Sequence, residues 1–202
     1  MIKAIIFDFG DILIDLEKDT VSNELQKIGL HTENKELIRL NHLYEVGGID
    51  EKQFLLGLQQ QIPTVEIDKI KQAWNTILGN FPNYRLEFLE ALSTKYSLFL
   101  LSNTDYTHIE YFKTKVGSNF YNRFRACFEK VYYSFEMGVR KPDELIYKRV
   151  IEAHQLNPQE SLFVDDKKEN TDAAKKTGLQ VWNLQVGKED VIDLEKVLTR
   201  FK

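Results

Sequence analysis

Three acids and one lysine in this chain stand where a fold could gather them into a reactive group. Asp8 follows the apolar run Lys3 to Phe7, the pair Asp165-Asp166 follows Leu162 to Val164, and Lys141 lies between Arg140 and Pro142. Adjacent carboxylates at one strand end repel, and a hard divalent cation such as Mg²⁺ is a common way to neutralise them. A solvated turn with a helix N-cap would use the same two acids, so the pair acquires meaning from Asp8, whose strand end can bring a third carboxylate to the same ion. Ser102-Asn103, after the run Ser97 to Leu101, adds a hydroxyl and exposed backbone amides. Taken singly, Lys141-Pro142 reads as a surface lysine before a helix and Ser102-Asn103 as a turn. Together, a hydroxyl, amides, an ammonium and a cation form the set that holds the oxygens of a phosphoryl group while its charge redistributes.

The elements that must position these residues are short. Apolar runs at Lys3 to Phe7, Ser97 to Leu101, Lys130 to Tyr133, Leu162 to Val164 and Gln180 to Leu184 read as strands buried on both faces. Helical patterns lie between the later ones, at Asp143 to His154 and at Lys168 to Thr177, the second stopped by Gly178. This alternation predicts an α/β fold, a doubly wound parallel sheet with helices on both faces, and such sheets bind ligands at the carboxyl ends of their strands.

The first interval is different. About ninety residues separate Phe7 from Ser97, where a crossover needs roughly a dozen. Within it Val21, Leu25 and Ile28 share a helical face, as do Leu37, Leu40 and Tyr44, then Phe54, Leu55 and Leu58, then Val65, Ile70, Trp74, Ile77 and Leu78. The spacing predicts a small all-helical subdomain inserted after the first strand, occupying residues 16–82, with the core made of residues 1–15 and 83–202.

Composition narrows the function classes. Of 202 residues 43% are hydrophobic and only 10 are Gly and 4 Pro, enough to bury a core and unlike a disordered or fibrous chain. A net charge of -4 gives no footprint for nucleic acid, and no apolar run approaches a membrane span. With a single cysteine, Cys127, and no signal-like start, a soluble cytoplasmic protein is expected. The scattered His31, His42, His108 and His154 read as surface or packing residues, Cys127 as a small buried one, and Lys167-Lys168-Glu169 as solvated helix. The aromatics from Tyr111 to Phe135 are expected to pack around the sheet or at a dimer contact.

The order of the motifs resembles the haloacid dehalogenase (HAD) superfamily and its phosphatase branch. Ile5-Ile6-Phe7-Asp8-Phe9-Gly10-Asp11-Ile12-Leu13, Leu100-Leu101-Ser102-Asn103, Gly138-Val139-Arg140-Lys141-Pro142-Asp143 and Phe163-Val164-Asp165-Asp166-Lys167-Lys168-Glu169-Asn170 match its four motifs. The resemblance implies a Rossmann-like HAD core, with Asp8 as the nucleophile that takes the phosphoryl group as an aspartyl-phosphate. It makes Ser102 and the Asn103 backbone the phosphate binders, and Lys141 the holder of both nucleophile and phosphoryl group. It implies Mg²⁺ held by Asp8, the Gly10 carbonyl and Asp166, with Asp165 a further ligand or one acting through water. Asn170 falls where many relatives carry an acid that supports the metal's water shell. The resemblance makes the inserted helical subdomain a cap over the site, with Tyr44, Phe54 and Trp74 as candidates for its lining and core packing the competing reading of each.

Gly10 departs from that pattern. Most phosphatases of the family place there an aspartate that protonates the leaving group, and neither Asp11 nor Asp15 is an obvious replacement. Without the acid, the leaving oxygen departs more nearly as its anion, which favours acyl, aryl and anomeric sugar phosphates. A glycine in this place also resembles the glucose-1-phosphatase-like subgroup. The expected substrate is therefore a small phosphorylated metabolite, in particular a sugar phosphate such as glucose 1-phosphate, handled by a monomer or homodimer. A 2-haloacid dehalogenase and a catalytically silent binder of a phosphorylated ligand or a protein are the rival readings.

Overall fold

In the computed structural model, which describes residues 1–201, the strands β1 (Ala4–Phe7), β2 (Ser97–Ser102), β3 (Lys130–Tyr133), β4 (Ser161–Asp165) and β5 (Gln180–Asn183) form one sheet in the order β3-β2-β1-β4-β5. Every pair is parallel, with Phe7 beside Leu100 on one side and Val164 on the other. The carboxyl ends of β1, β2 and β4 are thus neighbours at the point where strand order reverses, which brings Asp8, Ser102 and Asp165 to one edge.

Period-two alternation sends each strand's residues into two different cores. Ile5, Phe7, Leu98, Leu100, Leu162 and Val164 pack on one face, while Ala4, Ile6, Phe99, Leu101 and Phe163 pack on the other. Both faces are covered, which is why the strands read as unbroken apolar runs. Each such fully buried side chain contributes about 1.5–3 kcal/mol relative to exposure.

The helices follow in chain order: α1 (Lys18–Lys27), α2 (Lys35–Glu45), α3 (Glu51–Gln59), α4 (Ile67–Asn75), α5 (Asn83–Ser93), α6 (Tyr106–Ala126), α7 (Ser134–Met137), α8 (Glu144–Ala153), α9 (Lys168–Lys176) and α10 (Leu194–Leu198). Their ends carry the expected chemistry. Asn34, Asp50, Asp105 and Asp143 cap α2, α3, α6 and α8 through their side chains, and α9 is followed by Gly178 at φ 93°. The long α6 is broken at Gly117, whose φ of 77° and ψ of 158° are not helical.

Helices α1 to α4 bury their own cluster, including Val21, Leu25, Leu37, Leu40, Tyr44, Phe54, Leu58, Ile70 and Trp74. Leu78, expected with the fourth of these helical faces, instead packs with the sheet. The chain enters and leaves this helical region through two paired segments. Glu17 N–H donates to the Ile77 carbonyl at 2.8 Å, and Asp15 N–H donates to the Asn80 carbonyl at 2.9 Å. The aromatics beyond Tyr111 serve the core, where Phe112 and Phe124 pack with Phe9 and Phe81.

Candidate active site

Lys141 is the centre of the cluster. Its Nζ lies 2.7 Å from Asp8 Oδ1 and 2.7 Å from Asp165 Oδ2, and its side chain is only 1% exposed. One ammonium between two buried carboxylates leaves an uncompensated negative charge, and Asp166 adds another. Asp8, Asp165 and Asp166 each offer an oxygen within 4.8 Å of the others. Burial pushes the Asp8 carboxyl up to about 7, Lys141 opposes this, and the Asp165 charge adds to it. The Asp166 carboxyl is also raised, by burial first and by Asp165 next. Burial pulls Lys141 down, but Asp165 and Asp8 outweigh it and hold the ammonium above its ordinary value.

The two members of the Asp165-Asp166 pair do different things. Asp165 accepts from Lys141 Nζ, from Asn170 Nδ2 on both oxygens at 3.0 Å, and from the Lys167 N–H at 2.8 Å, so its carboxylate is fully engaged. Among the described residues no hydrogen-bond donor reaches the Asp166 carboxylate. Asp8 likewise keeps Oδ2 free of a side-chain ion pair. The donor set therefore fits a divalent cation between Asp8 and Asp166, with hard oxygen ligands and excess negative charge. Asn170, whose Oδ1 is buried without a partner, stands beside it.

Asp8, Gly10, Asn103, Lys141, Asp166, Lys167 and Asn170 line a cavity of about 60 Å³. A second cavity of about 160 Å³ adjoins it, sharing Gly10, Leu16, Asn103 and Lys167 and continuing past Ser102 toward α2 and α4. Of the residues expected from sequence to form the site, Asp8, Gly10, Asn103, Lys141 and Asp166 line the smaller space and Ser102 the larger, while Asp165 lines neither and touches the site through Lys141. Asn103 also has a role the sequence did not suggest. Its side-chain amide donates to the Lys141 carbonyl at 2.8 Å and accepts from the Lys141 N–H at 2.9 Å, fixing the backbone that carries the lysine. Lys167 lines both cavities, although its neighbours Lys168 and Glu169 are the solvated residues expected.

The remaining expectations sort clearly. Trp74 lines the larger cavity, whereas Phe54 is fully buried between Tyr44 and Trp74 and lines neither cavity. Tyr44 packs under α6, its hydroxyl 2.7 Å from Thr107 Oγ1 and accepting from the Thr107 N–H at 3.1 Å. Asp11 and Asp15 do not replace an acid at position 10. Asp11 accepts from the Leu16 N–H and pairs with Lys18, and Asp15 pairs with Arg85 at 2.7 Å. Cys127 is buried, and burial pushes its thiol up to about 11. His108 is a packing residue of an unexpected kind. Its ring stacks on Trp74, its Nδ1 is 3.0 Å from Asp105 Oδ2 and its Nε2 faces the Trp74 carbonyl at 3.2 Å. Two acceptors around one ring are both satisfied only by the imidazolium, and Asp105 outweighs burial to hold the ring's pKa above its ordinary value.

The haloacid dehalogenase-like hydrolase family matches residues 5–184, and the chain belongs to that family. It is 26% identical over 193 residues to a D-ribitol-5-phosphate phosphatase of Bacteroides thetaiotaomicron, covering 93% of this chain and 94% of that one. Among solved structures, a wild-type HAD family enzyme of Bacteroides thetaiotaomicron in complex with magnesium and inorganic phosphate is 30% identical, with a TM-score of 0.84 and 94% and 97% of the two chains covered. An HAD-like family hydrolase of Porphyromonas gingivalis is 26% identical, with a TM-score of 0.85 over 98% of each chain. No helix among the described residues is long and apolar enough to cross a membrane.

Proposed function

We propose that this protein is a Mg²⁺-dependent phosphoric monoester hydrolase working through an aspartyl-phosphate on Asp8. The observation that carries the reading is the shared lysine, which holds Asp8 beside Asp165 while leaving Asp8 Oδ2 and the Asp166 carboxylate for a cation. Asp8, Asp166 and the Gly10 carbonyl would hold Mg²⁺, and Asp165 contributes by fixing Lys141. When bound, the cation neutralises the phosphoryl oxygens and the carboxylates around them. The relative solved in complex with magnesium and inorganic phosphate supports a cation and a phosphoryl group as the ligands.

In the forward step a carboxylate oxygen of Asp8 attacks phosphorus, the bond from phosphorus to the ester oxygen breaks, and that oxygen leaves with the electron pair and takes a proton from solvent. Water then attacks the same phosphorus, the carboxylate of Asp8 is regenerated, and phosphate departs after losing a proton to solvent. Ser102, the Asn103 backbone N–H and Lys141 hold the phosphoryl oxygens throughout. The helical segment 16–82 covers this site as a cap on a core of residues 1–15 and 83–202.

The substrate is a small phosphorylated metabolite. Gly10 favours an ester whose oxygen leaves readily, such as glucose 1-phosphate, while the D-ribitol-5-phosphate phosphatase supports a phosphorylated polyol. Phosphate release from both esters, from nucleotides and from an acyl phosphate, with Mg²⁺ or with chelator, tests the proposal. Cation-dependent release from at least one small ester is expected. Cation-independent release, or inertness toward every ester, overturns it.

A further inference from the structure

Gly10, Leu16, Asn103 and Lys167 border both the small cavity that holds Asp8 and the larger one beside it. With the phosphoryl group against Asp8 and the rest of the ester in the larger space, the bond that breaks lies at this junction. Gly10 has no side chain there, Leu16 has no polar group, and the Asn103 amide is engaged with the Lys141 backbone. Lys167 alone of the four carries a charge. It is exposed, so an entering ester can reach it, and among the described residues its Nζ has no hydrogen-bond or ion-pair partner. Burial raises the Asp166 carboxyl and the Lys167 charge opposes it, which places the ammonium within electrostatic reach of that carboxylate. The other cations lining the two cavities are engaged, Lys141 with Asp8 and Asp165 and His108 with Asp105.

Helix stability does not account for a lysine in this place. Lys167 is the N-cap of α9, where Ser, Thr, Asp or Asn would accept from the first turn, and its side chain makes no such bond. An ammonium there also meets the positive end of the helix dipole, which is unfavourable. The backbone is nevertheless held on both sides. Lys167 N–H donates to Asp165 Oδ1 at 2.8 Å, and its carbonyl accepts from the Asn170 and Thr171 N–H groups at 3.1 and 3.2 Å. The contacts that fix Asp165 therefore also fix the root of the Lys167 side chain. Charge balance shows what that side chain can do. Asp8, Asp165 and Asp166 together offset Lys141 and a divalent cation, so a dianionic ester meets a site without net positive charge unless Lys167 supplies it. As the bond to the ester oxygen breaks, negative charge moves onto that oxygen, and a cation held at the junction stabilises it there.

We infer that Lys167 is a catalytic residue for the leaving group: its ammonium donates a hydrogen bond to the ester oxygen and stabilises the charge that develops there, a task for which Gly10 offers no side chain. This deepens the hydrolase reading and rests on it. The bond from Asp8 to phosphorus forms, the bond from phosphorus to the ester oxygen breaks, and that oxygen leaves with the electron pair beside Lys167 until solvent protonates it. Lys167 keeps its own proton throughout.

Ethyl phosphate and acetyl phosphate are nearly equal in size, but acetate leaves readily as its anion and ethoxide does not. Their kcat/KM values, measured in Mg²⁺, report the step in which that oxygen departs, and the ratio of the two within one protein is insensitive to the folded fraction. Lys167→Met, which keeps much of the side chain's length without its charge, should lose about 10²-fold on ethyl phosphate and less than about threefold on acetyl phosphate. Lys167→Ser, which supplies α9 with a cap, should show the same selective loss while melting no lower than the parent. Equal losses on the two phosphates would make Lys167 a binder of phosphate charge or a structural residue and overturn the inference, as would release by the parent from acetyl phosphate alone. Both of those results leave the hydrolase reading standing. Inertness of the parent toward both phosphates overturns the hydrolase reading and the role of Lys167 together.

Discussion

Leu16 fills the space that a side chain on Gly10 would enter: a Cβ at position 10 would lie 2.7 Å from Leu16 Cδ1. Position 10 therefore lacks a proton donor and is also walled by a leucine that lines both cavities. The obstructing atom is the end of a flexible side chain, so an aspartate can be admitted by a change of leucine rotamer. Gly10→Asp should raise kcat/KM on a primary-alcohol phosphate relative to phenyl phosphate by about 10²-fold, the usual range of a positioned acid. An unchanged ratio between the two esters would show that the missing acid does not limit the leaving group.

Asp8 gives the protein a pH-dependent stability that a cation should reverse. The folded carboxyl, raised to about 7 chiefly by burial, binds its proton more tightly than the unfolded one, whose ordinary value is 3.8. For a raised group, the stabilisation is complete below the unfolded value and is lost as pH rises through the folded one. In chelator, the melting temperature should fall by a few degrees between about pH 6 and about pH 8, since the slope cannot exceed about 1.4 kcal/mol per pH unit for one group. Asp8→Asn should flatten the difference, and Mg²⁺ should oppose it by favouring the carboxylate. A fall of equal size in Asp8→Asn would assign the effect to other groups.

Asp105 ties the helical region to the core. Its buried carboxylate caps α6, pairs with His108 and accepts from Trp74 Nε1 at 3.1 Å, and His108 outweighs burial to hold it below the usual range. Asp105→Ala leaves the His108 ring, the Trp74 N–H and the helix end without their partner at once. A loss of about 3 kcal/mol in urea unfolding is expected. A loss below about 1 kcal/mol would mean that the pair contributes little beyond its own desolvation.

Gly47 serves a close approach. With φ at 66°, a Cβ there would lie 2.2 Å from the Phe135 carbonyl oxygen of α7, a backbone atom that cannot swing aside. Gly47→Ala should destabilise the protein by about 2 kcal/mol or more through both the left-handed backbone and the clash. A melting temperature equal to the parent's would show that α2 and α7 can separate without cost.

The strands were legible because parallel strands covered on both faces need unbroken apolar runs, and Asp8, Ser102 and Asp165 were legible because such a sheet delivers its strand ends to one edge. The helical faces around Leu25, Leu40 and Ile70 could be read from their spacing. What could not be read depends on contacts across long stretches of chain. The Asn103 clamp on Lys141 spans 38 residues, and the Tyr44 contact with Thr107 spans 63. Trp74, Phe54 and Tyr44 have the same aromatic character in sequence. Only packing separates Trp74, which borders the cavity, from the other two.

The most direct test is to quench turnover of a small phosphate ester with borohydride, which reduces an acyl phosphate to the alcohol, and to examine the peptide carrying Asp8. Homoserine at position 8, formed only when both ester and Mg²⁺ are present, together with loss of phosphate release in Asp8→Asn by a factor of about 10³ or more, is the predicted result. Phosphate release by Asp8→Asn within about tenfold of the parent, with position 8 unmodified in the parent, would contradict the assignment of Asp8 as the nucleophile.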